Sequence, residues 1–357
     1  MGTGLHSQDY LHSAEEARLR YVSDHQPGYR RRRAGRGFCF CDMNGKRITD
    51  PKILKRIKAL VIPPAWTNVW VCPHPRGHIQ VTARDARGRK QYRYHPEWQE
   101  ARDREKFTRT LAFARALPEL RKAVTRDMAG PPLERRTVLA TVVRLLEITL
   151  IRIGNREYVE QNKSYGLTTL RNRHVAVNGT KLAFDFVGKS GKRHVAELTD
   201  RRAARIVKQL QDLPGQELFQ YVDEDGERRT IDSADVNDYL RQLSGDDFTA
   251  KDFRTWAGTV LAAWALSEFE KIDSQAAARR NITAAVKKVA SQLGNTPAVC
   301  RSSYIHPEIL NSYLDGSLVD TLKREIKETL RDELSGLSSE EAAVFVLLNR
   351  LGTEAKA

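Results

Sequence analysis

Long apolar runs are missing from this sequence. No stretch approaches the roughly 20 consecutive apolar residues that a membrane-spanning helix needs, although 40% of the 357 residues are hydrophobic, enough for a soluble core. The first seven residues also lack the basic start and apolar centre of a secretion signal. We therefore predict a cytoplasmic protein that does not enter a membrane.

Cysteine is scarce, with four residues at positions 39, 41, 72 and 300. Cys39 and Cys41 form a C-x-C pair in a strand-like run, and no second pair follows at the spacing of a zinc finger. Reduced structural thiols are the better interpretation for a cytosolic chain. We expect no metal site at these residues.

Acidic residues are outnumbered by basic ones, 45 to 60, which gives a net charge of +15 and a pI of about 9.7. Such an excess favours a polyanion as partner. A membrane surface is the alternative, but no basic amphipathic segment stands apart as an anchor. The arginine-rich run 30–36 predicts a loop, either solvated or touching phosphates, and the charge favours phosphates. Carboxylates form one compact cluster, the turn 223–226, which lacks the other ligands of a calcium loop.

The chain is long enough for two or three domains. Residues 1–105 predict a small β-rich basic module, because strand-like runs at 38–41, 69–72 and 78–82 alternate with turn signals. Within it, Asp50 and Pro51 predict a helix start, and residues 12–20 a short helix. Residues 106–357 predict a mainly helical domain, so the fold class is α+β.

The helical part begins near residue 96, with one helix predicted over 97–117 and a buried one opened by Pro131 and Pro132. Strand chemistry then starts at Leu167 and continues as a three-stranded meander whose turns are 178–179 and 188–191. Lys189 lies in the second of these turns. Asp200 predicts a helix start, and the later helices are expected near 233–240, 250–269, 281–293, 307–313, 318–334 and 338–351.

Residues 293–306 hold a further helix start followed by a tyrosine. Thr296 can cap the helix with Pro297 in its first position, which puts Tyr304 about two turns into the helix. Such a tyrosine is either a core residue or a nucleophile. A tyrosine attacking a phosphodiester stores the bond energy in a covalent ester, and arginine forks can take the place of a metal in holding the phosphate.

Seven motifs, in order, make the chain resemble the type IB DNA topoisomerases, in the short form found in bacteria and poxviruses. They are Ile-Pro-Pro-Ala-Trp (62–66), Arg-Asp-Ala-Arg-Gly-Arg-Lys-Gln-Tyr-Arg-Tyr-His (84–95), Ile-Arg-Ile-Gly-Asn (151–155), Ser-Tyr-Gly-Leu-Thr-Thr-Leu (164–170), Phe-Asp-Phe-Val-Gly-Lys (184–189), Lys-Asp-Phe-Arg-Thr-Trp (251–256) and Gly-Asn-Thr-Pro…Tyr (294–304). The resemblance covers residues 21–313.

The resemblance implies roles for five residues. Tyr304 would attack the scissile phosphate, Arg152 and Arg254 would hold its nonbridging oxygens, and Lys189 would protonate the leaving 5′-oxygen. Asn295 would donate a hydrogen bond where poxviral and nuclear enzymes have histidine, and an amide can supply neither charge nor proton. Tyr313, the next tyrosine along, would be the first alternative nucleophile.

The resemblance also implies a nucleoid-associated enzyme without cofactor that closes as a monomeric clamp around duplex DNA. Its expected DNA contacts are Gln91, Tyr92, Tyr94, Tyr158 and Lys251. Two alternatives stay open. A tyrosine recombinase shares this chemistry but usually has histidine at the position of Lys251 and a helical N-terminal domain. A DNA-binding protein without catalysis would have no reason to hold these groups in this order.

Overall fold

The computed structural model describes residues 11, 14–86, 88–269, 274–329 and 336–354. These residues belong to two units, Met1–Thr108 and Arg109–Ala357. A small sheet dominates the first unit and helices dominate the second, which confirms the predicted α+β class. Within the described ranges, no helix is both long and apolar enough to cross a lipid bilayer.

The sheet of the first unit has five strands, and one helix packs on it. The bounds are β1 Tyr29–Ala34, β2 Gly37–Cys41, α1 Pro51–Ala59, β3 Thr67–Val71, β4 Ile79–Arg84 and β5 Lys90–Tyr94. The strands lie in the order β2-β1-β3-β4-β5, and each neighbouring pair is antiparallel. Asp50 begins α1 as predicted, because its carboxylate accepts hydrogen bonds from the N–H groups of Lys52 and Ile53.

The arginine-rich run was predicted as a loop, and this prediction is wrong for residues 30–34, which lie in β1. Arg31 points inward and donates to the carbonyl oxygens of Pro63, at 3.0 Å, and Trp66. Alternation along the strand leaves Arg30 and Arg32 exposed. Pairing with β2 satisfies the hydrogen-bonding groups of the β1 backbone, so a run of like charges can form a strand. Its arginines differ in role, because Arg31 binds carbonyl oxygens whereas Arg30 and Arg32 are exposed.

The second unit begins within a long helix, α2, at Pro96–Asp127. The predicted end at Leu117 is wrong, because the helix continues through Pro118. A proline inside a helix costs about 3 kcal/mol, but Phe113, Leu117 and Leu120 are buried on both sides of it and their packing offsets that cost. Tertiary burial here overrides the local signal.

Two helices and the meander follow α2. Their bounds are α3 Arg135–Thr149, α4 Arg156–Asn162, β6 Val175–Asn178, β7 Lys181–Val187 and β8 Arg193–Thr199. The order β6-β7-β8 confirms the predicted meander, with Lys189 in its second turn. Residues 167–174, predicted as strand, instead form two short 3-10 turns. The helix α3 is buried along most of its length, although Ile148 is exposed.

The rest of the second unit is helical apart from a two-stranded ribbon. Its elements are α5 Arg201–Gln211, β9 Gln220–Val222, β10 Arg228–Thr230, α6 Ser233–Ser244, α7 Ala250–Ser267, α8 Gln275–Gln292, α9 Pro297–Ser303, α10 Pro307–Leu314, α11 Leu318–Thr329 and α12 Ser339–Glu354. Asp200 and Thr296 cap α5 and α9 as predicted, and Asp232 caps α6. The predicted helix ends at 330–334, and residues 12–13 of the predicted N-terminal helix, lie outside the described residues.

Candidate active site

Arg152 follows α3 in a tightly folded segment. Leu150 turns the chain with a left-handed backbone at φ 54°, and the carbonyl oxygen of Arg152 then accepts from the N–H of Leu167 at 2.9 Å. A Cβ at Gly166 would lie 2.5 Å from that carbonyl oxygen, so glycine is required there. The Arg152 guanidinium donates to the carbonyl of Gly294 at 3.1 Å and to Oδ1 of Asn295.

Arg254 lies in the second turn of α7 and is 4% exposed. Its guanidinium donates to the carbonyl oxygens of Leu150 and, at 2.7 Å, of Leu293. The nearby Asp252 is not its partner, because Asp252 is bound by Arg109 at 3.0 Å. The two arginines therefore approach the same place from α3 and from α7.

Neither Arg152 nor Arg254 has a carboxylate partner among the described residues. Burial lowers the pKa of each guanidinium, and the positive charge of Arg152 lowers that of Arg254 further. Guanidinium groups stay charged in proteins even so. Arg254 is buried and Arg152 is partly buried. A buried positive charge without a counter-ion costs several kcal/mol, and a bound anion would offset that cost.

Asn295 lies in the turn between α8 and α9, just after Gly294, whose backbone is left-handed at φ 60°. Because Arg152 can only donate, Asn295 must face it with its amide oxygen. The amide nitrogen Nδ2 of Asn295 is buried without a hydrogen-bond partner among the described residues, and so is Nε of Arg254. Unpaired buried donors are rare and costly, so these two atoms also indicate a missing acceptor.

Tyr304 lies at the end of α9 rather than two turns inside it, because the helix stops at Ser303 and Tyr304 is its C-cap. The ring centroid is 5.3 Å from Cζ of Arg254. Gly258 of α7 allows this approach, since a Cβ there would lie 2.5 Å from the carbonyl oxygen of Tyr304. That carbonyl also accepts from the hydroxyl of Thr259 at 3.4 Å.

Tyr313 is excluded as the alternative nucleophile in this arrangement. Its side chain is 1% exposed and lies in the core of the second unit. Its hydroxyl accepts a hydrogen bond from Asn281 at 2.8 Å. Tyr313 is thus a satisfied core residue, whereas Tyr304 lies beside two uncompensated arginines.

Lys189 is not part of the hydrogen-bonded cluster. It begins the turn between β7 and β8 and is exposed, with its Nζ 5.7 Å from the ring centroid of Tyr158. Two neighbours connect the hairpin to the site. Lys192 donates to the carbonyl oxygen of Asn295 at 3.5 Å, and His194 packs against Gly294.

The sequence reasoning missed His194. The residue pairs with Phe186 across the hairpin, and the two rings stack at 5.4 Å. A single histidine in a strand carries no signal by itself. Its importance depends on the hairpin meeting the 294–295 turn, which is a long-range contact.

The predicted DNA contacts of the first unit lie on β5, but not on one face. Tyr92 and Tyr94 are exposed and stacked with their centroids 5.7 Å apart. Gln91 points to the opposite side, where its Nε2 donates to Asp85 at 3.0 Å. Gln91 and the tyrosines therefore cannot present one continuous reading surface without a change of conformation.

Two further predicted contacts lie in the second unit. Tyr158 of α4 is 50% exposed, and Lys251 is exposed in the first turn of α7, three residues before Arg254. Both are free to meet a large ligand. Across the described ranges, no group of three or more His, Cys, Asp or Glu is arranged to hold a metal ion.

Comparisons with known proteins identify the family of this chain. A family model described as "Eukaryotic DNA topoisomerase I, catalytic core" matches residues 95–333, and one described as "Bacterial DNA topoisomerase IB, N-terminal domain" matches residues 37–85. DNA topoisomerase 1B of Acanthamoeba polyphaga mimivirus is 34% identical over 324 residues, covering 86% of this chain and 96% of the relative. DNA topoisomerase 1B of Vaccinia virus (strain Copenhagen) is 22% identical over 246 residues, covering 67% and 74%.

The chain therefore belongs to the type IB DNA topoisomerase family, whose members are isomerases. This confirms the resemblance drawn from the seven motifs. The relatives named above are viral, so a bacterial source has support from the N-terminal family model alone.

Proposed function

We propose that this enzyme relaxes supercoiled duplex DNA by cutting one strand, holding the cut end on Tyr304, and resealing it, without ATP or a metal. The oxygen of Tyr304 attacks phosphorus, the bond from phosphorus to the 5′-oxygen breaks, and a 3′-phosphotyrosyl ester remains. The tyrosine loses its proton, and the departing 5′-oxygen gains one. Resealing is the same step in reverse, with the 5′-hydroxyl as nucleophile.

One observation carries this proposal most directly: the buried guanidinium of Arg254 and the partly buried guanidinium of Arg152 have no carboxylate partner in the described part of the chain, and Arg254 lies beside the Tyr304 ring. A phosphate is the anion whose geometry suits two arginine forks. Charge develops on the nonbridging oxygens during attack, and donors fixed before the reaction stabilise it without reorganisation. The unpaired Nε of Arg254 and Nδ2 of Asn295 are donors for those oxygens once the neighbouring side chains make room.

Lys189 is the proposed general acid. The leaving 5′-oxygen needs a proton, and a lysine in a turn that projects from the β7–β8 hairpin can reach a ligand on the arginine pair if its long side chain turns toward it. In the free protein Lys189 instead lies over the ring of Tyr158. The phosphate would attract the ammonium group of Lys189 away from the Tyr158 ring. DNA binding would therefore affect Tyr158 and Lys189 together.

The DNA partner is proposed to contact both units. Exposed Tyr92 and Tyr94 offer a stacked apolar surface beside Lys90, whose Nζ is 5.4 Å from the Tyr92 ring. Gln91 is proposed to contact DNA from the opposite face of β5, which is an edge strand. Lys251 and Tyr158 would contact the DNA near the site. We propose that one copy closes around the duplex as a clamp, with residues 1–105 as its DNA-clamping domain and 106–357 as its catalytic domain. Its location would be the cytoplasm, with the nucleoid, in a bacterial source.

A tyrosine recombinase-like strand transferase is the alternative, since the same five groups could join different strands. Two features favour the topoisomerase: Lys251 stands where recombinases usually have histidine, and the first unit is β-rich rather than helical. The relatives that match most of the chain bear topoisomerase names.

Relaxation of supercoiled plasmid in EDTA without ATP tests the proposal. We expect ladders of relaxed topoisomers with the intact chain and none with Tyr304→Phe, which removes one hydroxyl. Tyr313→Phe is the matched control and should relax plasmid at a near-normal rate once its folding is verified. A strict need for Mg²⁺ or ATP, or joining of separate duplexes without relaxation, would refute the proposal.

A further inference from the structure

The imidazole of His194 lies between two glycines that precede the proposed acid and a phosphate-binding residue. A Cβ added at Gly188 would lie 2.5 Å from Cδ2 of His194, and one added at Gly294 would lie 2.4 Å from Cε1. These separations are far shorter than van der Waals contact, so the ring touches both backbones. Gly188 is followed by Lys189, and Gly294 by Asn295.

The ring is also held from its own hairpin. It stacks on Phe186 with 12° between the ring planes, and Phe186 is buried in the core of the second unit. Lys192 of the same turn region donates to the carbonyl of Asn295 at 3.5 Å. The hairpin thus contacts the 294–295 turn through two residues, Lys192 and His194. Of these two, His194 has the rigid planar side chain.

The surroundings of the imidazole favour its neutral form. Burial lowers the pKa of His194, and the nearby positive charges of Arg152, Arg254 and Lys192 lower it further. A fourth positive charge at this place would be repelled, whereas a neutral ring packs against glycine backbone without that cost.

We propose that His194 is a positioning residue that fixes the hairpin carrying Lys189 against the turn carrying Asn295. The backbone of the acid and the backbone of the phosphate ligand then stay at a constant distance from each other. The inference rests on the proposed role of Lys189 as general acid. His194 need not touch DNA. It acts by setting the base of the hairpin from which Lys189 reaches the leaving oxygen.

The test compares single-turnover cleavage of two duplexes, one with an ordinary 5′-bridging oxygen and one with sulfur in its place. Sulfur is a good leaving group and needs little protonation, so it bypasses the acid. His194→Ala should slow the oxygen substrate by about 10², the usual effect of misplacing a group by about 1 Å. On the sulfur substrate its rate should return close to that of the unchanged protein.

His174→Ala is the matched control. His174 also approaches Phe186, at 6.3 Å, but it lies in a 3-10 turn and its Nδ1 accepts from the backbone N–H of Arg171. Losing it removes packing at the same phenylalanine without touching Gly188 or Gly294. We expect the ratio of the two substrates' rates to stay unchanged in this variant.

Gly188→Ala gives a second variant that keeps the histidine. Gly188 has an extended backbone at φ −99°, so the added methyl meets the His194 ring rather than backbone strain. It should reproduce the oxygen-specific defect. In a His194→Ala background the space is open, and the effect of Gly188→Ala should largely vanish, a non-additivity expected of residues in contact.

Lys189→Ala, measured in parallel, separates the acid role of Lys189 from the positioning role of His194. If it is rescued by sulfur but His194→Ala is equally slow on both substrates, the positioning role is refuted while the acid assignment stands. Additive effects of Gly188→Ala and His194→Ala would refute it too. If Lys189→Ala is not rescued, the acid assignment fails and the role of His194 falls with it.

Discussion

Replacing Arg254 by glutamine should separate catalysis from stability. The side chain is nearly fully buried, its charge has no carboxylate partner among the described residues, and Arg152 repels it. Glutamine removes the charge and can still donate to the carbonyl of Leu150 or Leu293. The substitution therefore removes a proposed phosphate-binding group. It also removes an unpaired buried charge that destabilises the fold.

The magnitudes follow from these contacts. Loss of one preorganised donor to a developing oxyanion costs roughly 10² to 10³ in rate, about 2.7–4 kcal/mol. For the stability of the fold, two effects oppose each other. Removing an uncompensated buried charge stabilises the folded protein by several kcal/mol, whereas leaving one carbonyl without a donor destabilises it by about 1–3 kcal/mol. We expect cleavage to fall by that factor while the free energy of unfolding stays within about 1 kcal/mol of its original value or rises.

Arg121→Gln is the matched control. Arg121 is also partly buried, but it pairs with Glu341 at 2.8 Å and with Glu147 at 2.5 Å. Removing it leaves Glu341 without a cationic partner and Glu147 with Arg144 alone, which should cost about 3 kcal/mol of stability, near the low end for a broken buried pair because the groups are partly exposed.

The assay is single-turnover cleavage of a short duplex beside urea denaturation of the same preparations. The reasoning is refuted if Arg254→Gln unfolds at much lower urea and yet cleaves normally. It would then be a structural arginine that holds α7 to the Leu150 and Leu293 carbonyls, and the phosphate would have to bind elsewhere.

Three further outcomes are expected. Duplex binding should weaken with salt, with a slope of about −0.9 in log affinity per phosphate contacted, and an affinity that stays flat in a filter-binding titration would contradict a basic DNA interface. Asn295→Ala should slow cleavage by roughly 10² with little change in DNA affinity, since Nδ2 contributes a transition-state donor; equal losses in cleavage and binding would indicate a ground-state contact. Glu341→Gln should lower the free energy of unfolding by about 1–3 kcal/mol, because Glu341 binds both Arg121 and the indole N–H of Trp256 at 3.1 Å. Burial alone would raise the pKa of Glu341, but the hydrogen bonds and charge of Arg121, together with hydrogen bonds from Ser338 and Trp256, outweigh burial and lower the pKa. This stabilisation is therefore present at neutral pH and lost as the pH falls below the ordinary glutamate range, and a urea midpoint insensitive to Glu341→Gln would rule it out.

Local signals in the sequence predicted the helix starts and turns well. Asp50, Asp200 and Thr296 each accept from N–H groups two or three residues further on, a contact that depends on a few neighbouring residues alone. The meander turns are likewise set by short Asn-Gly and Gly-Lys-Ser-Gly segments. Family motifs then identified Arg152, Arg254, Asn295 and Tyr304, which the fold brings together, whereas Lys189 lies outside their hydrogen-bonded cluster.

Features that depend on distant packing were not predictable in this way. The helix α2 continues through Pro118 because residues remote in sequence bury its neighbours. Tyr304 caps α9 at a place where Gly258 of another helix leaves room for its backbone. The hydrogen bond between Arg152 and Asn295 and the packing of His194 on Gly294 join segments about 100 residues or more apart. No local pattern records such contacts.

Mass spectrometry of a trapped covalent adduct tests the central claim most directly. A duplex nicked just beyond the cleavage position lets the short 5′-hydroxyl fragment diffuse away, so the reverse reaction fails and the adduct accumulates. After proteolysis, the account predicts a peptide with Tyr304 joined through phosphate to a DNA 3′ end. An adduct on Tyr313 or on any other residue, or one carrying a DNA 5′ end, would contradict it.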